Sequence, residues 1–479
     1  YQAQVVTGPE VHFGLGAATK ADVMRVIWTN GLPSTHFSPN ADQEICEQQS
    51  LAGSCPYLYT WNGKKFEFVT DLLWNAPIGM RVDQNNYVPY RQWEYLKVPG
   101  EKLVPRNGKY VLQFTEELFE ATYVDQVRLL AIDHPTDVDI FSNEKVGSAE
   151  LAKFQIHTVR QPRLPVAARD KHGRDVLPIV SKTDGQYLRG YDAKICQGIT
   201  DEHFLELDLG KLKNPAKITL FLTGWIYPPT PSIRLALSQN PQQPVVRPPY
   251  LQVPDEQGNW KEVVPFMGFP GGKTKTIAVD VSKIFLTNDY RMRIVTSQEI
   301  YWDSAFFTLD ESPAPFTQTE LSFDRADIHF RGCSRSYYDS RYGPELYDYD
   351  QLQSLREWPA MGGMFTRYGD VRELLTTTDD RLVIIGAGDE ITLEFAVPER
   401  PVPAGWKRDF IMNNVGWDKD CDRNTVYGHT VEPLPFNAMS RYPYNGNEAY
   451  PDTPLHRETL GKYHNRAQDP RKFWKLLVP

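Results

Sequence analysis

The chain lacks most of the features that announce a chemistry. No apolar run reaches eighteen residues, which excludes a transmembrane helix. There is no Cys-x-x-Cys, so zinc ribbons, thioredoxin-type redox centres and c-type haem attachment have no foothold. There is no His-Glu-x-x-His and no Gly-x-Ser-x-Gly elbow, and the ten histidines are scattered. Positive charge is in deficit: 52 Lys and Arg stand against 61 Asp and Glu, a net charge of −9. That disfavours non-specific nucleic-acid binding, which needs a basic surface. Long helical periodicities are also scarce. What remains is rich in Pro, at 37 residues, and in aromatics, at 12%. Prolines end strands and stiffen loops, while aromatics suit half-buried pleated surfaces. At 479 residues the chain is expected to hold roughly two to four domains, all-β, as tandem sandwich or jelly-roll-like units followed by an extended C-terminal arm.

Short alternating runs and turn residues set the expected organisation. Residues 1–40 read as strand, turn, strand, turn: Val11 to Gly16, then Ala21 to Trp28, closed by Asn30-Gly31. Two strands cannot bury a core alone. With Tyr1 as the first residue, this segment reads as the end of a module that begins upstream. In residues 41–150, Tyr57 to Trp61 and Lys64 to Val69 flank Asn62-Gly63, a hairpin signal with a type I′ turn. Asn107-Gly108 precedes a further strand. Residues 151–320 show seven short strands with regular Pro and Gly breaks, the pattern of a sandwich. Ile233 to Leu237 is one of the seven. Residues 321–431 are β-rich and dense in Tyr, and 432–479 read as an arm lying over the surface or over a partner.

Three groups of residues are candidates for function. Asp418, Asp420, Asp422 and Asn424 put oxygen side chains at alternate positions, which can converge on Ca²⁺. The EF-hand form is not met, because Arg423 and His429 occupy its Gly and Glu positions. The alternative is an acidic loop whose Asp side chains cap its own backbone. Tyr337, Tyr338, Arg341, Tyr342, Tyr347 and Tyr349 offer the residue types enriched at interface hot spots, and tyrosines also stack on sugars. Equally, they can pack a loop-rich β edge. Cys46 and Cys55 bracket a short polar loop and could close it as a disulfide in an exported protein. Cys196, Cys333 and Cys421 read as buried small hydrophobes. Glu299 and Asp303, beside Tyr301 and Trp302, have the composition of a glycosidase pair but share a face only if one strand runs through both. Gly268 to Thr274 misses the phosphate-loop spacing by one residue and reads as a sharp turn between strands.

Val11-His12-Phe13-Gly14-Leu15-Gly16, followed by Val23-x-x-Val26-x-Trp28-x-x-Gly31, resembles the C-terminal half of an ASPIC/UnbV module. Such modules typically follow FG-GAP β-propeller repeats in exported bacterial proteins, an arrangement shared by the cartilage acidic proteins. Cys55 to Trp61, Phe221 to Trp225, Ile300 to Asp303, Arg341 to Pro344 and Asn424 to Gly428 are similar to the long C-terminal extension of bacterial members of that group. The resemblance implies an exported, extracellular or periplasmic, non-catalytic module. The expected function is therefore structural or interactive: docking onto a protein partner or a second copy through the arm and the aromatic loops. The alternative is a calcium-dependent carbohydrate-binding module built on the middle sandwich.

Overall fold

Alternation of apolar and polar residues between turn signals produces strands almost throughout. In the computed structural model, which describes residues 2–49, 56–240, 242, 245–353 and 357–475, strands take 42% of the chain and helices 7%, so the fold is all-β. The described sheets pair antiparallel and form two sandwich-like pairs. Among the described residues no helix is long and apolar enough to cross a membrane.

The first pair draws on both halves of the chain. One sheet runs, in spatial order, Gly369–Asp370, Phe323–Phe330, Asp389–Ala396, Lys109–Thr115, Tyr57–Trp61, Phe66–Asp71. The other runs Thr317–Glu320, Ala121–Pro135, Trp406–Lys419, Trp93–Val98, with Val383–Gly386 also on Ala121–Pro135. Residues 41–150 and 321–431, separated in sequence by the whole of 151–320, thus contribute strands to the same two sheets. Their shared core joins Leu112, Phe114, Ile391 and Phe395 of the first sheet to Leu129, Phe410 and Met412 of the second. Between Ala121–Pro135 and Thr317–Glu320 the chain builds the second pair. Its sheets are Ala167–Asp170, Ile199–Asp208, Arg291–Gln298, Tyr250–Pro254, Trp260–Val264 and Leu188–Arg189, Ile300–Leu309, Ile218–Ile226, Lys275–Asp280. Leu205, Leu220, Leu222, Ile277, Ile294 and Phe307 fill the space between them.

The arm folds onto its own chain. Leu434, Phe436, Met439 and Tyr442 pack with Tyr123, Ile384 and Trp417 on the outer face of the second sheet. Helix Pro454–Tyr463 follows, and strand Arg466–Gln468 pairs with Gly363–Phe365. Ala121–Pro135 is apolar on both faces because both are covered: Leu129 and Ala131 face the sandwich interior, while on the other side Ala121 and Tyr123 meet the arm and Leu130 and Ile132 meet Ile140.

Several local expectations change. Ile233 to Leu237 is helical, within Pro231–Ser238, because Thr230 caps the start (its Oγ1 accepts from the Ile233 N–H at 3.2 Å) and Pro231 occupies the first turn. Val11 to Gly16 forms no strand, whereas Val23–Ile27 pairs with Pro33–Phe37. Asn62-Gly63 does open the hairpin, but only Gly63 has positive φ, so the turn is not type I′. Instead Asn62 Oδ1 accepts from the N–H groups of Lys64 and Lys65, each at 3.0 Å. The type I′ signature, positive φ at both positions, belongs to Asn107-Gly108.

Candidate functional site

A cleft of about 650 Å³ opens between the two sandwiches. Its walls are the segment after Phe66–Asp71, the loop around Gly147, the proline-rich turn into helix Pro231–Ser238 and the end of Trp406–Lys419. Trp74, Tyr90, Trp93, Phe119, Phe266 and Phe269 give it an aromatic lining, with prolines between them. Arg91 ties two walls together: its guanidinium donates to the carbonyls of Trp93 (3.1 Å), Gly147 (2.9 Å) and Lys145 (3.3 Å). Burial lowers its pKa to about 10.

Asp418, Asp420 and Asp422 all reach this cleft. Burial, then the charges of Glu116 and Asp420, raises Asp418 well above the ordinary carboxylate range. Burial, then Asp422, pushes Asp420 up to about 7. Asp422 is raised as well, chiefly by burial. The Oδ1 atoms of Asp420 and Asp422 are engaged within the protein, whereas Asp422 Oδ2 has no hydrogen-bond partner among the described residues. Asp420 Oδ1 accepts from the Asp422 N–H at 3.1 Å and from the Thr425 hydroxyl. Asp422 Oδ1 accepts from Ser232 Oγ at 2.7 Å and from the Asn424 N–H at 2.8 Å. Asn424 Nδ2 donates to Ser232 Oγ at 2.7 Å. The loop thus caps its own backbone and holds helix Pro231–Ser238 against the first sandwich. Among the described residues no three His, Cys, Asp or Glu side chains are grouped so as to hold a metal ion.

Three other polar groups in the lining have no hydrogen-bond partner among the described residues: Asn75 Oδ1, Gln298 Oε1 and Arg234 Nε. Asn75 is 6% exposed and Gln298 4%. An unpaired buried polar atom typically costs about 1–3 kcal/mol, so these three and Asp422 Oδ2, four in one cavity wall, are informative. Nothing in the sequence singled out the first three. Asn75 and Gln298 are ordinary polar residues until the fold buries them, and Arg234 lay in a segment read as strand.

The tyrosine segment is divided by the fold. Tyr347 is buried, its ring 4.3 Å from that of Tyr57. Tyr349 packs on Phe66 at 4.8 Å and carries the Arg331 guanidinium 3.9 Å above its ring. Tyr342 stacks on Tyr301 at 6.2 Å, and its carbonyl accepts from Trp225 Nε1 at 2.9 Å. These three join the hairpin Ser334–Tyr337, Leu346–Leu352 to both sandwiches. Tyr337 and Tyr338 stay exposed, as does Arg341. A smaller cleft of about 320 Å³ lies where Tyr337, Tyr347 and Tyr349 meet Phe66, Lys102 and Lys273.

Glu299 and Asp303 do not form a pair. Strand register slips between them, so that Thr223 pairs with Ser304 but Gly224 with Trp302, leaving Asp303 as a bulge. Glu299 accepts from Tyr301 (2.8 Å), Tyr191 (3.1 Å), Lys194 and the Gly198 N–H (2.9 Å). Asp303, raised by burial to about 6, accepts from the N–H groups of Asp184 and Gly185. Of the cysteines, Cys333 is buried and burial pushes the Cys421 thiol up to about 12, whereas Cys196 is partly exposed and Cys46 exposed. Cys55 lies outside the described residues, and the proposed Cys46–Cys55 bridge with it.

Compared with protein-family models, curated proteins and solved structures, the chain matches none. The likeness to ASPIC/UnbV modules is carried by the residues quoted for it alone.

Proposed function

We propose that the chain is a binding protein whose inter-sandwich cleft takes a carbohydrate. The observation that carries this reading is the combination of an aromatic lining with Asn75 Oδ1, Gln298 Oε1 and Arg234 Nε, which have no partners among the described residues, in its walls. A sugar presents an apolar C–H face to aromatic rings, and its hydroxyls both donate to amide oxygens and accept from a guanidinium. Ligand sites generally have this make-up, mostly apolar with a few convergent polar groups. Docking through the arm or the buried tyrosines is less favoured, because those side chains are already packed against their own chain.

Glycan-array screening followed by calorimetry on the purified chain tests the reading, with and without chelator. Binding of at least one glycan is expected, weakened about two- to tenfold by Gln298→Ala or Asn75→Ala through loss of one hydrogen bond each. Silence on the array in both conditions, or affinity unchanged in both variants, refutes it. Abolition by chelator, with restoration by Ca²⁺, would favour the calcium-dependent form with Asp418, Asp420, Asp422 and Asn424 as the residues to test.

A further inference from the structure

Three edge strands converge at the junction of the sandwiches: Phe66–Asp71 and Trp93–Val98 from the first, Lys275–Asp280 from the second. The last residue of one, Asp71, meets the first of another, Lys275, although 204 positions separate them in sequence. Both are buried, with side chains 0% and 1% exposed. Lys275 Nζ contacts Asp71 Oδ1 and donates to the Gly271 carbonyl at 2.6 Å, and Asp71 Oδ2 accepts from the Lys273 N–H at 2.9 Å. A third acid, Glu94, is 2% exposed and lies near enough for the charges of Lys275 and Asp71 both to act on it. Glu94 Oε1 accepts from the Leu73 N–H (2.7 Å) and Asn414 Nδ2 (3.1 Å), while Oε2 has no partner among the described residues. The remaining nearby acid, Glu144, is engaged through both oxygens by the N–H groups of Lys97 and Thr276.

We propose that Lys275 and Asp71 join in an intramolecular amide bond that staples the two sandwiches together, with Glu94 moving the protons. The reacting forms are the neutral amine and the neutral carboxylic acid, reached when one proton passes across the Lys275–Asp71 contact, from which water is excluded. The Lys275 Nζ lone pair attacks Asp71 Cγ, forming the C–N bond. Glu94 takes a proton from nitrogen and delivers one to the departing hydroxyl. The C–O bond breaks and one water leaves. Amine plus carboxylic acid gives secondary amide plus water, Glu94 is restored, and no oxidant or other reactant is consumed. Burial raises Glu94 to about 7, so both of its protonation states are accessible near neutrality.

Intact-mass measurement of the purified, denatured chain tests this. The expected mass is lower than the sequence mass by one water. Trypsin should then release a branched species joining peptides 66–81 and 274–283, since an acylated Lys275 is not cleaved. A chain at full mass, or a water loss mapped to any other position, overturns the proposal. Glu94→Gln, which keeps an oxygen for Leu73 and Asn414, is expected to fold with a native-like circular dichroism spectrum and remain at full mass. A folded Glu94→Gln chain that still loses water overturns the role given to Glu94. Lys275→Arg supplies the unreacted reference in either case.

Discussion

Substituting Gly272 tests how tightly the two sandwiches are locked. Gly272 has φ +69°, and a Cβ built there would lie 1.8 Å from Asp71 Oδ2 and 2.5 Å from Trp74 Cδ1. Gly258 provides the control, with φ +82° and nothing within 4 Å of a built Cβ. Alanine at either site carries the left-handed backbone penalty of about 1–2 kcal/mol. At Gly258 that is the whole expected loss. At Gly272 the methyl must also displace Asp71 from the Lys273 N–H and from Lys275. Separating buried charged partners costs about 3–5 kcal/mol. If the amide has formed, what is lost instead is a cross-link closing a loop of 204 residues, about 5 kcal/mol on the chain-entropy relation. Gly272→Ala is therefore expected to lose about 4–7 kcal/mol and Gly258→Ala about 1–2. Urea unfolding followed by tryptophan fluorescence reads both. Equal losses would refute the claim that Asp71, held by the glycine turn, ties one sandwich to the other.

Other outcomes follow from the same geometry. Tyr347→Ala is expected to cost about 3–5 kcal/mol, whereas the exposed Tyr338→Ala stays within about 0.5; thermal denaturation of the pair would contradict the assignment if the order reversed. Asp420 keeps its proton to about 7 when folded but ionises near 3.8 unfolded, so between these values the folded state binds more protons and stability falls as pH rises. Asp420→Asn should flatten that fall, and an unchanged difference between urea midpoints at about pH 5 and pH 8 would rule it out. Thr230→Ala is expected to cost about 1 kcal/mol through the lost cap of helix Pro231–Ser238. The same change should weaken ligand binding, since Thr230 and Arg234 both line the cleft, and calorimetry beside the unfolding curve would expose a purely structural effect.

Strand type was legible wherever a short alternating run met a turn residue, as at Ile218–Ile226, Tyr250–Pro254 and Arg291–Gln298. It failed at Ile233 to Leu237, where Thr230-Pro231 was a stronger local signal than the apolar run after it. The turn at Gly271-Gly272 was readable as a turn, but its need for glycine was not, because the atoms it must avoid belong to Asp71 and Trp74, about two hundred residues away. The acidic positions Asp418, Asp420 and Asp422 were visible as a pattern. Their burial, and hence their proton affinity, was not.

Composition and periodicity by themselves determined that this chain buries its apolar surface in pleated layers, since residue spacing of two is a local property of the backbone. Which layers share a core was decided only by tertiary structure. Ala121–Pro135 pairs with Trp406–Lys419 although the whole second sandwich lies between them in sequence, and in the same fold Asp71 and Lys275, 204 positions apart, come into contact. Burial turns ordinary acids into groups with raised proton affinity and leaves amide oxygens without a partner among the described residues, and burial is a property of the folded neighbourhood rather than of any residue's place in the sequence.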